Sequence, residues 1–108
     1  MVPVTLDPED SKLITLARAA RARNETAEGA AVRDETGRTY SATNVALSSL
    51  TLSAVQVAAA MAISSGARSL EAAALVSAGE PSAADEAVAA ELGVKSLLVA
   101  GLDGTLRS

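Results

Sequence analysis

Between Arg38 and Arg68 the chain carries no charged residue. The run is long enough to cross a membrane, but its Ser and Thr residues, with Asn44 and Gln56, interrupt it, so a membrane span is rejected. From about Leu52 to Ser65 the run reads as a helix that is small or apolar on every face. Such a helix is buried on more than one side. It should lie against a sheet and under something else, such as another subunit. The residues available for packing sharpen this expectation. There is no Phe, no Trp, one Tyr (Tyr40) and 25 alanines. Aromatic side chains normally supply much of the buried area, and alanine buries little. Small side chains do let elements approach closely. A chain of 108 residues builds one modest core, so one domain over 1–108 is expected, with further burial gained in a homo-oligomer. Arg also outnumbers Lys, so a GC-rich genome is an alternative source of the alanines.

Charge and composition exclude several classes. The net charge is -4, whereas a nucleic-acid binder shows a basic patch with aromatics between the charges. The nearest candidate, Arg18, Arg21 and Arg23, falls at the end of a predicted helix, where cations suit the helix dipole. Neither nucleic acid nor membrane is expected as a partner. Without cysteine no disulfide forms. Met1 to Asp10 has no basic region followed by an apolar run, so no signal peptide is read there. A cytoplasmic location is the default expectation.

Asp7-Pro8-Glu9-Asp10 reads as a helix start, with Asp7 as cap and Pro8 at the first helical position. Leu13, Ile14, Leu16, Ala17 and Ala20 form its apolar stripe, and it should stop near Asn24. Gly29 to Arg33 and Arg38 to Val45 read as a hairpin turning at Asp34-Glu35-Thr36-Gly37. The uncharged helix follows, ended by Gly66. Ala72 to Ser77 reads as a strand, Ser82 to Leu92 as a helix, and Lys95 to Ala100 as a last strand. Asp103-Gly104 turns toward a short final strand. The order is α-β-β-α-β-α-β. Short helix-to-strand connections favour parallel crossovers, so the fold class is α/β with a mixed sheet.

Three segments carry a further resemblance. They are Gly29-Ala30-Ala31-Val32-Arg33 with Thr36 to Ser41 and Asn44-Val45, then Leu50 to Val55, then Pro81 through Gly93. In this order and spacing the chain resembles the cytidine deaminase family of small zinc nucleoside deaminases. The resemblance implies a three-layer α/β/α sandwich. It also implies a zinc held at the starts of two helices and a Glu that shuttles protons. The ligand positions fall on Ser53, Ser82 and Asp85, and the Glu position on Val55. The chain has no cysteine and no histidine at all. Neutral Ser is a poor zinc ligand, one carboxylate does not make a site, and Val55 cannot move a proton. A general acid–base group alone typically supplies ~10²–10⁴-fold. No catalytic residue, metal or other cofactor is therefore expected. The zinc mechanism is read as absent.

The same residues have a structural reading. Ser53-x-x-Gln56 and Ser82-x-x-Asp85 fit the capping box, each cap contributing about 0.5–2 kcal/mol. A new centre built from Ser53, Ser82 and Asp85, with no His or Lys, would lack an obvious base. The family's Asn-Val/Ile-Glu-Asn, whose first Asn and Glu contact ribose, is reduced to Asn44-Val45, and the segment to Ser53 is about two residues short. Asn44 either binds a sugar hydroxyl or bonds its own turn. The favoured expectation is a non-catalytic deaminase-like protein acting as an oligomeric or interaction scaffold. The resemblance implies a homodimer or homotetramer. Two alternatives stand beside it. One is a nucleoside or nucleotide-binding module using Asn44 and the helix start at Ser82. The other is a cytidine deaminase that borrows ligands from a partner chain. An apolar Val55 should be buried and close the pocket.

Overall fold

The computed structural model describes residues 6–107. The stretch before Leu6, half of the segment read for a signal peptide, lies outside the described residues, as does Ser108. In chain order the elements are α1 (Pro8–Asn24), β1 (Gly29–Asp34), β2 (Thr39–Thr43), β3 (Val45–Ala46), β4 (Thr51–Leu52), α2 (Ala54–Ser64), β5 (Leu70–Val76), α3 (Ala83–Glu91) and β6 (Leu98–Ala100). α1 begins as its sequence dictates: Asp7 accepts the Glu9 N–H at 2.8 Å, and Pro8 opens the helix.

The four-stranded sheet runs β2-β1-β5-β6. β1 is antiparallel to both β2 and β5, while β5 and β6 are parallel. Both helical crossovers therefore join parallel strands, β2 to β5 through α2 and β5 to β6 through α3. The alternating side chains of the sheet feed two cores. On one face Leu13, Ile14 and Ala17 of α1 meet Ala31, Ala72, Ala74, Val76 and Ala100. On the other, Ala54, Val55, Ala58, Ala59 and Ala62 of α2 meet Ala30, Val32, Ala73 and Leu75, with Ala89 of α3. This is the three-layer α/β/α sandwich with a mixed sheet. The alanine-rich core works by close approach. At Gly29 a Cβ would sit 2.0 Å from the Ala17 carbonyl oxygen, so α1 rests on strand backbone there.

Asp34 builds the β1–β2 turn. Its Oδ1 accepts from the Thr36 N–H (2.9 Å), the Thr36 hydroxyl (2.7 Å) and the Arg38 N–H (3.0 Å), and its Oδ2 accepts from the Tyr40 hydroxyl (3.0 Å). The Thr36 hydroxyl, aided by the other donors, holds the carboxyl below its ordinary range. Burial, then the bond to Asp34, raises the Tyr40 phenol.

Three local readings change. The second strand does not run through to Val45. It stops at Thr43, because Asn44 turns its side chain to the Glu28 N–H at 3.0 Å, and Val45–Ala46 pairs instead with Thr51–Leu52. The last strand starts at Leu98, three residues later than expected, where the parallel ladder with Ala74 begins. The final strand is a single bridge between Ala100 and Leu106.

Candidate functional site

The fold brings Ser53, Ser82 and Asp85 together, across more than thirty residues of sequence in one case. Ser53 caps α2: its Oγ accepts the Gln56 N–H at 3.1 Å, and Gln56 Oε1 accepts the Ser53 N–H at 2.9 Å. Ser82 caps α3 in the same way, accepting the Asp85 N–H at 3.1 Å, while Asp85 Oδ2 accepts the Ser82 N–H at 3.1 Å. Both capping boxes read from the sequence are formed. A second connection was not legible there. The Ser53 hydroxyl donates to Asp85 Oδ1, so one carboxylate ties the starts of two helices.

Asp85 is 1% exposed. A buried carboxylate is costly unless its oxygens are hydrogen-bonded, and here each oxygen has a donor. Two helix N-termini face it as well, and their dipoles favour negative charge. The loop before Ser82 is fastened from the far end of the chain. Arg107 donates to the carbonyls of Ser77 (2.8 Å), Ala78 (3.3 Å) and Gly79 (2.6 Å) and pairs with Glu80 at 3.6 Å.

Val55 is 1% exposed and packs in the α2 core. Asn44 is half-buried, with its side-chain oxygen committed to Glu28. Sequence reasoning missed Glu28. Its Oε1 accepts the Ala54 N–H at 3.0 Å, so this carboxylate occupies the first turn of α2 beside Ser53 and Val55. The available signal was a lone charge directly before the apolar run from Gly29 to Val32. Arg18, from the basic cluster, spends its Nε on the Leu102 carbonyl at 3.2 Å.

Among the described residues, the four most pronounced cavities, of about 300 to 640 Å³, are lined by none of Asn44, Ser53, Val55, Ser82 and Asp85. Among the described residues, no three His, Cys, Asp or Glu side chains cluster so as to hold a metal ion. No helix among them is long and apolar enough to cross a membrane. The arrangement offers hydrogen bonds that join two helix starts, with a carboxylate but no imidazole beside the serines.

The model of cytidine deaminase-like proteins matches residues 6–104. Among solved structures, the chain is similar to cytidine deaminase from Burkholderia pseudomallei. Identity is 28%, with 89% of this chain and 87% of that one covered and a TM-score of 0.75. Cytidine deaminase from Mycobacterium tuberculosis is 30% identical over 86% and 85% of the two chains, with a TM-score of 0.71. The enzyme from Mycobacterium leprae shares the fold at 23% identity over 94% and 93%, with a TM-score of 0.71. No curated protein matches by sequence.

Proposed function

The chain belongs to the cytidine deaminase-like family, and from that premise we propose that it is a non-catalytic member acting as an oligomeric scaffold. The observation that carries the reading is the hydrogen bond from Ser53 to the buried Asp85. Positions that the resemblance assigns to metal ligands are bonded to each other and to helix backbone. As a donor set they do not fit zinc. Two are neutral hydroxyls, and zinc takes thiolate, imidazole or carboxylate. The single carboxylate already accepts from Ser53 and from the Ser82 N–H. No step of the reaction is therefore derived through a metal. Val55, at the position of the proton-shuttling Glu, is an apolar core residue. Asn44, at the ribose-binding position, is engaged by backbone.

A further point supports loss of the pocket. The Ala54 N–H at the start of α2 is held by Glu28 from within the chain. An incoming ligand would have to displace that carboxylate. A direct assay tests the reading: purified protein with millimolar cytidine and added zinc, with uridine followed by chromatography. The expected outcome is no uridine above the protein-free blank. Uridine that scales with protein concentration overturns it.

A further inference from the structure

Three successive carbonyls, those of Ser77, Ala78 and Gly79, converge on one guanidinium, that of Arg107. They belong to the loop that leads from β5 into α3. Within the loop Gly79 donates to the Ser77 hydroxyl at 3.0 Å, and Pro81 has no N–H to offer. Among the described residues, Arg107 makes every hydrogen bond and ion pair that ties residues 78–81 to a distant part of the chain. The pair with the exposed Glu80 adds little. The start of α3 is thinly held as well. In its first turn Ala83, Ala84 and Glu86 are exposed and only Asp85 is buried. Its buried apolar residue, Ala89, comes one turn later.

We propose that residues 101–107 are a strap that holds the α2–α3 junction shut. With Arg107 seated, the loop fixes Ser82 and Asp85 against Ser53. With Arg107 withdrawn, the first turn of α3 swings out about Ala89, and Asp85 exchanges its two donors for water. The strap is built to let go. Its last residues are held by one N–H, Arg107 to the Val99 carbonyl at 2.8 Å, and by the single bridge of Leu106 to Ala100. The Arg107 side chain is 32% exposed, so water competes for the same carbonyls. Segments with few buried apolar contacts open at lower free energy than a core. The opening is local, because Ala89 and the sheet stay packed. A carboxylate that leaves a buried site regains its hydration, which offsets part of the two hydrogen bonds lost.

Amide hydrogen exchange, followed by NMR on the full chain, tests this with wild type, Arg107→Ala and Arg107→Lys. The Asp85 and Glu86 amides, bonded to the Ser82 hydroxyl and carbonyl, report the first turn of α3. The amide of Ala17, a buried α1 residue, reports global unfolding. Arg107→Ala should speed exchange at Asp85 and Glu86 about tenfold to a hundredfold, the worth of a hydrogen bond to a charged group, and leave Ala17 unchanged. Arg107→Lys keeps the charge without the planar fork and should fall between. Unchanged exchange at Asp85 and Glu86 in Arg107→Ala overturns the proposal. Equal acceleration at all three amides also overturns it, since that is global destabilisation. Wild type supplies a test that needs no variant: Asp85 and Glu86 should open far more often than Ala17, and one common opening for all three would sink the strap. The strap does not depend on whether the chain turns over cytidine, so uridine formation would sink the non-catalytic reading alone.

Discussion

Removing Ser53 or Asp85 should destabilise the protein by more than a helix cap is worth, and the two losses should overlap. Ser53→Ala deletes the α2 cap, about 0.5–2 kcal/mol. It also deletes a hydrogen bond to a carboxylate, about 1.5–3 kcal/mol. The expected loss is therefore about 2–5 kcal/mol. Asp85→Ala removes the acceptor for both the Ser53 hydroxyl and the Ser82 N–H and empties a fully buried site. Its expected loss is about 3–5 kcal/mol, the range for breaking a buried polar network. The shared bond is lost in both single variants but only once in the double. The double variant should thus fall short of the sum by about 1.5–3 kcal/mol. Urea unfolding at pH 7 measures all four corners of the cycle. With a slope of about 1–2 kcal/mol/M, a 2 kcal/mol loss moves the midpoint by about 1–2 M. Coupling below about 0.5 kcal/mol, the range of independent sites, would refute the claim that this bond joins the two helices.

Substitutions at three other positions probe the account. Gly29→Ala forces a methyl to within 2.0 Å of the Ala17 carbonyl, and should cost about 3 kcal/mol or more in thermal unfolding, since backbone on both sides must move. Glu28→Ala should cost about 0.5–2 kcal/mol by freeing the Ala54 N–H. Glu28→Gln keeps an acceptor and should cost less, the difference reporting the charge at the helix dipole in calorimetric melts. Tyr40 is the sole aromatic residue, so its ionisation can be followed by ultraviolet absorbance without interference. Its midpoint should lie above the ordinary tyrosine value and fall in Asp34→Asn. Because the folded value is raised, the associated stability is complete below about pH 10 and is lost as pH rises through the folded midpoint. Asp34 has the opposite sign: its lowered folded value gives stability present above about pH 4 and lost as pH falls further. Asp34→Asn should flatten that acid limb.

What the sequence disclosed was local or periodic. Ser53-x-x-Gln56 and Ser82-x-x-Asp85 each lie within one helical turn, so a spacing of three is enough to read them. The stripe Leu13, Ile14, Leu16, Ala17 and Ala20 repeats with the helix, and all of it but the half-buried Leu16 is buried. The missing charges from Thr39 to Ala67 announced a helix packed on the sheet, but within the chain only one of its faces is covered, and Met61 and Ile63 stay exposed. Two-residue strands such as Val45–Ala46 have no period to detect, and their pairing was invisible. The contacts that join the site are non-local. Ser53 meets Asp85, and Glu28 meets Ala54, only after the sheet has set the helix starts side by side. No spacing rule reaches across such distances. The resemblance supplied the convergence of Ser53, Ser82 and Asp85, and left Glu28 unmarked.

The central claim is that hydrogen bonding has taken the place of a metal between α2 and α3. Elemental analysis of protein expressed in zinc-supplemented medium, purified without chelator and then dialysed, tests it most directly. The account predicts zinc far below one ion per chain and a melting temperature unmoved by added chelator. Stoichiometric zinc that survives dialysis, with a melting temperature that falls on chelation, would contradict it.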